Sequence, residues 1–434
     1  MSAVVANQED KSNLQIQPFT RLALPSRQTI DEILLFLIFL ACSIPARYFV
    51  GPYVMGFAEP ATLIFLAWRF LSRSRSAEKK ISRGSILIIG FWIATIWIAF
   101  LWVLANNWND RREGLLGWAL AAALLTVLLT QPPKNWKRVA FLFVLASFPN
   151  LIAAAYQRLM GIGLGPKDLT GWYQGGTTKP VMGFFGHPND FAVYLYWPFL
   201  LSIGLAIDQT RWRRVFLCAT TLYSGLMLFW SLSRTILATL CFVALFTLFL
   251  LLIRKRRIFV LAASLIFGAA VIAVLWVIQT HSAAWINDIL SGRPYYWQLA
   301  LQSILSDPLL MPLGYLAIPP PGLALLWAPH NIYILAWLNY GVVGLLLLVS
   351  LAGYILHWGW QRYDALRKNA PAALLWVGMA GLFLVNGLAS LYFQETYILL
   401  TFVSVLAIWI GLQNEANPSD ATLPATRLSV PSGS

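Results

Sequence analysis

Apolar residues along this chain of 434 residues fall into long blocks separated by short polar stretches. The blocks cover 30–45, 54–71, 85–105, 114–130, 139–156, 190–207, 215–230, 235–253, 258–280, 331–358, 372–391 and 396–412. A helix needs about 20 apolar residues to cross a hydrocarbon core roughly 30 Å thick, and most of these blocks approach that length. The pattern predicts an all-α integral membrane protein with about 12 transmembrane helices. Residues 30–412 then form one polytopic membrane domain, with no room for a separate soluble one. Blocks 215–230 and 235–253 run almost without a gap. Read as one helix, 215–253 would be about 58 Å long, far more than a bilayer needs. A hairpin turning at Ser231-Leu232-Ser233-Arg234 resolves this and sets Arg234 at the mouth of the bundle.

Composition excludes a soluble domain, with 59% apolar residues, 11% charged residues and a mean hydropathy of +0.68. Charge orients the bundle. Basic clusters at 69–83, 134–138, 211–214, 254–257 and 362–368 sit at block ends that recur every second crossing. The positive-inside rule makes those ends cytoplasmic and places both termini inside. Residues 1–29 then read as a cytoplasmic tail ahead of a signal-anchor helix, and 413–434 as a disordered C-terminal tail. On this map the outer face carries only Arg47, Arg111, Arg112, Arg158, Lys167, Lys179, Arg234 and Arg293, balanced by as many acids. The whole net charge of +14 therefore lies on the inner face, which implies contact with anionic lipid rather than nucleic acid. Cys42, Cys218 and Cys241 all fall within apolar blocks, so no disulfide framework is expected.

Two outer loops are large, 157–189 and 281–329. The first ends in Gly186-His187-Pro188-Asn189. The second holds Ser291-Gly292-Arg293-Pro294 and ends in Pro329-His330-Asn331. Within it Trp297, Leu301, Ile304 and Leu305 are spaced as one face of a short amphipathic helix opening at Pro294. Arg293 would stand at that helix's N-terminus, where anions are already favoured.

These four motifs, taken in order with Tyr333, Gly341 and Gly344 in the following helix, resemble the O-antigen ligase/polymerase family of bacterial membrane proteins. The resemblance covers about 184–348. It implies transfer of a glycan from an undecaprenyl-diphosphate carrier at the periplasmic face of the inner membrane. The acceptor is a sugar hydroxyl, on lipid A core for a ligase or on another carrier-linked unit for a polymerase. Under that reading both large loops are periplasmic, and the partners are the carrier-linked donor, a glycan or lipid-linked acceptor and membrane lipids.

The residue chemistry points the same way. A lipid diphosphate is a dianion on a long hydrocarbon, so its site must be cationic and at the membrane surface. Arg234 and Arg293 are the candidate diphosphate ligands, because a planar guanidinium binds phosphate oxygens in bidentate fashion. The outer acids stand singly, so we expect a metal-free site with no cofactor, in which arginines stabilise the leaving diphosphate. His330 is the candidate general base, its imidazole being suited to accept a proton at neutral pH. Direct displacement with one base would invert the anomeric centre. The plainer alternative makes His330 a cap for the helix that follows. His187, Asn189 and Asn331 are further candidates for substrate binding, with Asn189 as a helix cap the competing role. Twelve helices with both ends inside also suit a transporter of a small anion such as bicarbonate. Against that, the candidate residues gather at one face rather than at the midplane.

Overall fold

A computed structural model describes residues 25–45, 47–50, 53–72, 90, 112–161, 180–185, 187–253, 292–306, 308, 310–313, 330–366, 368–388 and 396–416. The block expected over 258–280, nearly all of that over 85–105, most of both tails and most of the two large loops lie outside the described residues.

Helix α1 (Arg27–Ser43) starts where the Ser26 hydroxyl accepts the Thr29 amide at 3.2 Å. A hairpin of two short antiparallel strands follows, β1 (Arg47–Val50) and β2 (Tyr53–Gly56), with Arg47 opposite Gly56. The rest of the described fold is helical, as expected. The hairpin shortens the block expected over 54–71, because α2 (Ala58–Leu71) begins only after the strand ends. Next come α3 (Arg112–Thr130), α4 (Trp136–Ala146) and α5 (Phe148–Met160). Pro149 in the first turn of α5 marks the joint between the last two. Then follow α6 (Pro188–Asp208), α7 (Arg211–Trp230) and α8 (Arg234–Ile253). The remainder is α9 (Arg293–Ser306), the short α10 (Leu310–Leu313), α11 (Ile332–Gln361), α12 (Tyr363–Leu366), α13 (Ala370–Leu384), a 3₁₀ turn at Asn386–Leu388 and α14 (Thr396–Ala416). Gly341 (φ 66) breaks α11 after its first turns. A left-handed residue cannot continue an α-helix, and glycine adopts that conformation without a Cβ penalty.

Among the described residues, six helical stretches are long and apolar enough to cross a membrane: 136–160, 188–208, 234–251, 340–361, 370–388 and 396–415. The chain is a multi-pass helical membrane protein. Burial separates its centre from its rim. In α14 89% of the most apolar window is buried, against 28% in α8, so α14 sits at the centre and α8 nearer the rim. Close approach at the centre depends on missing side chains. A Cβ on Gly204 of α6 would lie 2.6 Å from the Cα of Pro371 in α13, and one on Gly411 of α14 would enter the Trp136 ring. Near the start of the chain, the buried Asp31 and Arg69 form a pair. Arg69 meets Asp31 at 3.2 Å, and Asp31 also accepts from the Trp68 indole.

Side-chain bonds between helix ends give the bundle two distinct ends. At one end lie Trp136, Lys137, Asp208, Asn369 and Glu415. The Trp136 amide donates to Glu415, Lys137 pairs with Asp208, and Asn369 donates to the Leu412 carbonyl. At the other end lie Gln157, Met182, Asn189, Ser233, Asn331 and Leu388, joined by the bonds described next.

Candidate functional site

The hairpin between α7 and α8 is present, with its turn at Ser231–Ser233. Leu232 takes a left-handed conformation there (φ 53), and the Ser231 hydroxyl donates to the Leu228 carbonyl at 2.6 Å while accepting the Ser233 amide. Arg234 therefore opens α8 as an exposed residue at the end of the bundle. From the first loop, the Ser233 hydroxyl donates to Asn189 Oδ1 at 2.7 Å, so this side chain ties the start of α6 to the hairpin. The N-cap of α6 is His187, whose Nδ1 accepts the Asn189 amide at 3.1 Å. Asn189, the expected candidate for that role, is joined to the hairpin instead.

Helix α9 opens one residue before the expected Pro294, and Gly292 (φ 77) provides the turn into it. The Arg293 guanidinium donates to the Thr235 hydroxyl at 3.2 Å. Residues 58 positions apart thus meet, and two cationic side chains come from adjoining elements. His330, half-buried, approaches the same place from the end of the second loop. Burial lowers its imidazole pKa below the ordinary value, and the positive Arg293 and the nearby His187 lower it further. The ring is thus held in its neutral, proton-accepting form at neutral pH. His330 also stands in the left-handed region (φ 48), a conformation that costs a non-glycine residue of order 1 kcal/mol or more and recurs at functional sites.

His330 does not cap the helix that follows it. Asn331 does, with Oδ1 accepting from the Tyr333 and Ile334 amides at 2.9 and 3.1 Å. Its Nδ2 donates to the Leu388 carbonyl at 3.2 Å, and the residue is buried. The Tyr333 hydroxyl donates to the Phe383 carbonyl at 2.7 Å. Together these bonds hold the start of α11 against the end of α13, and with it the backbone that carries His330.

Two residues that sequence reasoning missed hold the other side. Asn150 and Gln157 lie two turns apart on α5 and are buried. Gln157 Oε1 accepts the Met182 and Gly183 amides at 2.8 and 3.1 Å, and Asn150 Oδ1 accepts the Phe184 amide at 2.9 Å. The segment they fix leads directly to His187, and its Val181 amide donates to the Trp230 carbonyl at 3.0 Å. The Arg158 guanidinium lies over the Trp230 ring at 5.0 Å. Two amide side chains seven residues apart on an otherwise apolar face were the available signal.

His187, Asn189, Arg234, Arg293, His330 and Asn331 therefore share one end of the bundle. Of the motif residues, Gly186, Ser291 and Pro329 lie outside the described residues. Among the described residues no three His, Cys, Asp or Glu side chains are grouped to hold a metal ion. What the arrangement offers is fixed positive charge beside a neutral imidazole at the end of a membrane bundle.

No curated protein sequence matches the chain. A family model described as O-antigen ligase matches residues 219–349, which include Arg234, Arg293, His330 and Asn331 but neither His187 nor Asn189. Over residues 219–349, which hold three of the four motifs, the chain is similar to the O-antigen ligase family.

Proposed function

We propose that the protein transfers a glycan from undecaprenyl diphosphate to a sugar hydroxyl at the periplasmic face of the bacterial inner membrane, by inversion and without a metal. Arg234 and Arg293 hold the diphosphate, and His330 is the base. The acceptor oxygen attacks the anomeric carbon as its proton passes to a ring nitrogen of His330. The bond from that carbon to the diphosphate breaks, and the electron pair leaves with the carrier diphosphate. The observation that carries this reading is the convergence of Arg293, Thr235 and neutral His330 from three separate segments. Fixed cations are most effective where charge develops, here on the departing diphosphate. Asn331 positions His330 rather than touching substrate, since its polar atoms are engaged. His187 and Asn189 shape the rim nearest the acceptor.

The same reading makes the His330 end periplasmic and both termini cytoplasmic, with the bundle extending over 30–412. The basic groups Lys134–Arg138 and Arg211–Arg214 at the opposite end support that orientation. No observation favours the small-anion transporter. Purified protein supplied with carrier-linked donor, acceptor and chelator tests the proposal. The expected result is a glycosidic product of inverted configuration by NMR, together with free carrier diphosphate. Retained configuration, or loss of activity restored by a divalent cation, would refute the mechanism.

A further inference from the structure

At the opposite end of the bundle, α4, α6, α7 and α14 enclose a cavity of about 840 Å³. We propose that it binds the phosphate headgroup of an anionic phospholipid from the leaflet at that end, with the start of an acyl chain along its apolar wall. The inference goes beyond the glycan-transfer reading and stands whether or not that reading does. Helix α6 runs from His187 at one end to Asp208 at the other, about 31 Å, so the cavity is a bilayer's thickness from His330.

Its rim is cationic. Lys134, Lys137, Arg138 and Arg213 line it against one carboxylate, Glu415, which accepts the Trp136 amide at 2.6 Å. Lys137 pairs with Asp208 at 2.7 Å and Arg138 with Glu32 at 3.0 Å. Lys134 and Arg213 have no acidic partner among the described residues, and both are exposed. They approach from different segments, one from the loop before α4 and one from the first turn of α7. Both helices thus turn their positive dipole ends toward the same space. Arg214 is committed elsewhere. It donates to the Ala206 and Ile207 carbonyls at 3.2 and 3.4 Å and so fixes α7 against the end of α6.

The inner wall is apolar, formed by Phe141, Leu142, Leu205 and Leu217. A free phosphate ion would satisfy the rim and leave that wall unused. An amphiphile satisfies both, and basic pockets between membrane helices on the inner side suit anionic headgroups. The volume matches a small-ligand cavity, enough for a headgroup and several methylenes.

Native mass spectrometry of the detergent-purified full chain, titrated with phosphatidylglycerol, phosphatidylcholine or inorganic phosphate, tests this. One phosphatidylglycerol should be retained tightly, and phosphatidylcholine should not. In the double variant Lys134→Gln/Arg213→Gln its affinity should fall about thirtyfold, at roughly fivefold for each cation near the surface. The charge-retaining pair Lys134→Arg/Arg213→Lys should keep binding, which excludes misfolding as the cause. Arg254→Gln/Lys368→Gln removes the same charge from other loops and should leave the tight lipid in place. Equal loss in that control, or equal retention of phosphatidylcholine, would overturn the proposal. Saturation by inorganic phosphate with no preference for lipid would assign the cavity to a soluble anion and overturn it as well.

Discussion

Thr235 receives Arg293, and that one bond joins the starts of α8 and α9 at the candidate site. Thr235→Val keeps the shape and removes the acceptor. A hydrogen bond to a charged group contributes about 1.5–3 kcal/mol, so transfer should fall roughly tenfold or more, measured as initial rate on purified protein. An unchanged rate would mean that the bond does not position Arg293. Arg293→Ala should be more severe, about a hundredfold or more, with Arg293→Lys recovering part, because an ammonium cannot reproduce the bidentate fork. His330 connects charge to pH. Burial, Arg293 and His187 all disfavour its protonated form, so its pKa in the folded protein lies below the usual value of about 6.5. A base must be neutral to act. Transfer should therefore hold through neutral pH and fall only when pH drops below that usual value. Arg293→Gln removes one positive neighbour, so the acid limb of its residual activity should move toward higher pH. A limb that stays in place, or moves lower, would show that Arg293 does not act on His330.

The segment 180–185 and the start of α11 are the two elements that hold the site, and they differ in how visible they are in the sequence. Gln157→Ala would leave the Met182 and Gly183 amides buried without an acceptor, at about 1–3 kcal/mol each. The expected outcome is faster proteolysis within 162–187 and a lower Tm, while Ala155→Ser on the same helix changes little. Equal protection in Gln157→Ala would show that the bonds to α5 do not fix the loop. Apolar block length made most helices legible, including α6, α13 and α14, since a bilayer demands that length whatever the packing. The α7–α8 hairpin was legible for the same reason, because 39 continuous residues are too many for one crossing. The strand pair at Arg47–Gly56 was not, since aromatic and β-branched residues beside an apolar run read equally well as the start of a helix. The break at Gly341 was hidden too, because a glycine within a membrane helix more often serves packing than a left-handed bend. Of the site, the motif residues were visible as charges and imidazoles stranded at one face. The support from Asn150, Gln157 and Thr235 was not, because it depends on pairings across 25 to 58 positions that no local pattern encodes.

Across the whole molecule, the two ends differ in charge and in chemistry, and that asymmetry can be measured in intact cells. In a cysteine-free background, Leu232→Cys in the exposed hairpin turn should react with an impermeant maleimide from outside. Lys134→Cys at the opposite end should react only after permeabilisation. The reverse pattern would invert the proposed topology and with it the access of a periplasmic donor. The orientation serves one claim, that a neutral imidazole beside fixed arginines performs glycan transfer at that face. The most direct test compares wild type with His330→Ala on purified protein, following donor binding and transfer separately. If His330 is the base, the variant should bind the carrier-linked donor as tightly as wild type, because the arginines still hold the diphosphate. Its transfer rate should fall by roughly 10²–10⁴, the usual contribution of a positioned base. A variant that transfers at the wild-type rate across pH 5 to 8, or one that loses donor binding in proportion to activity, would contradict the account.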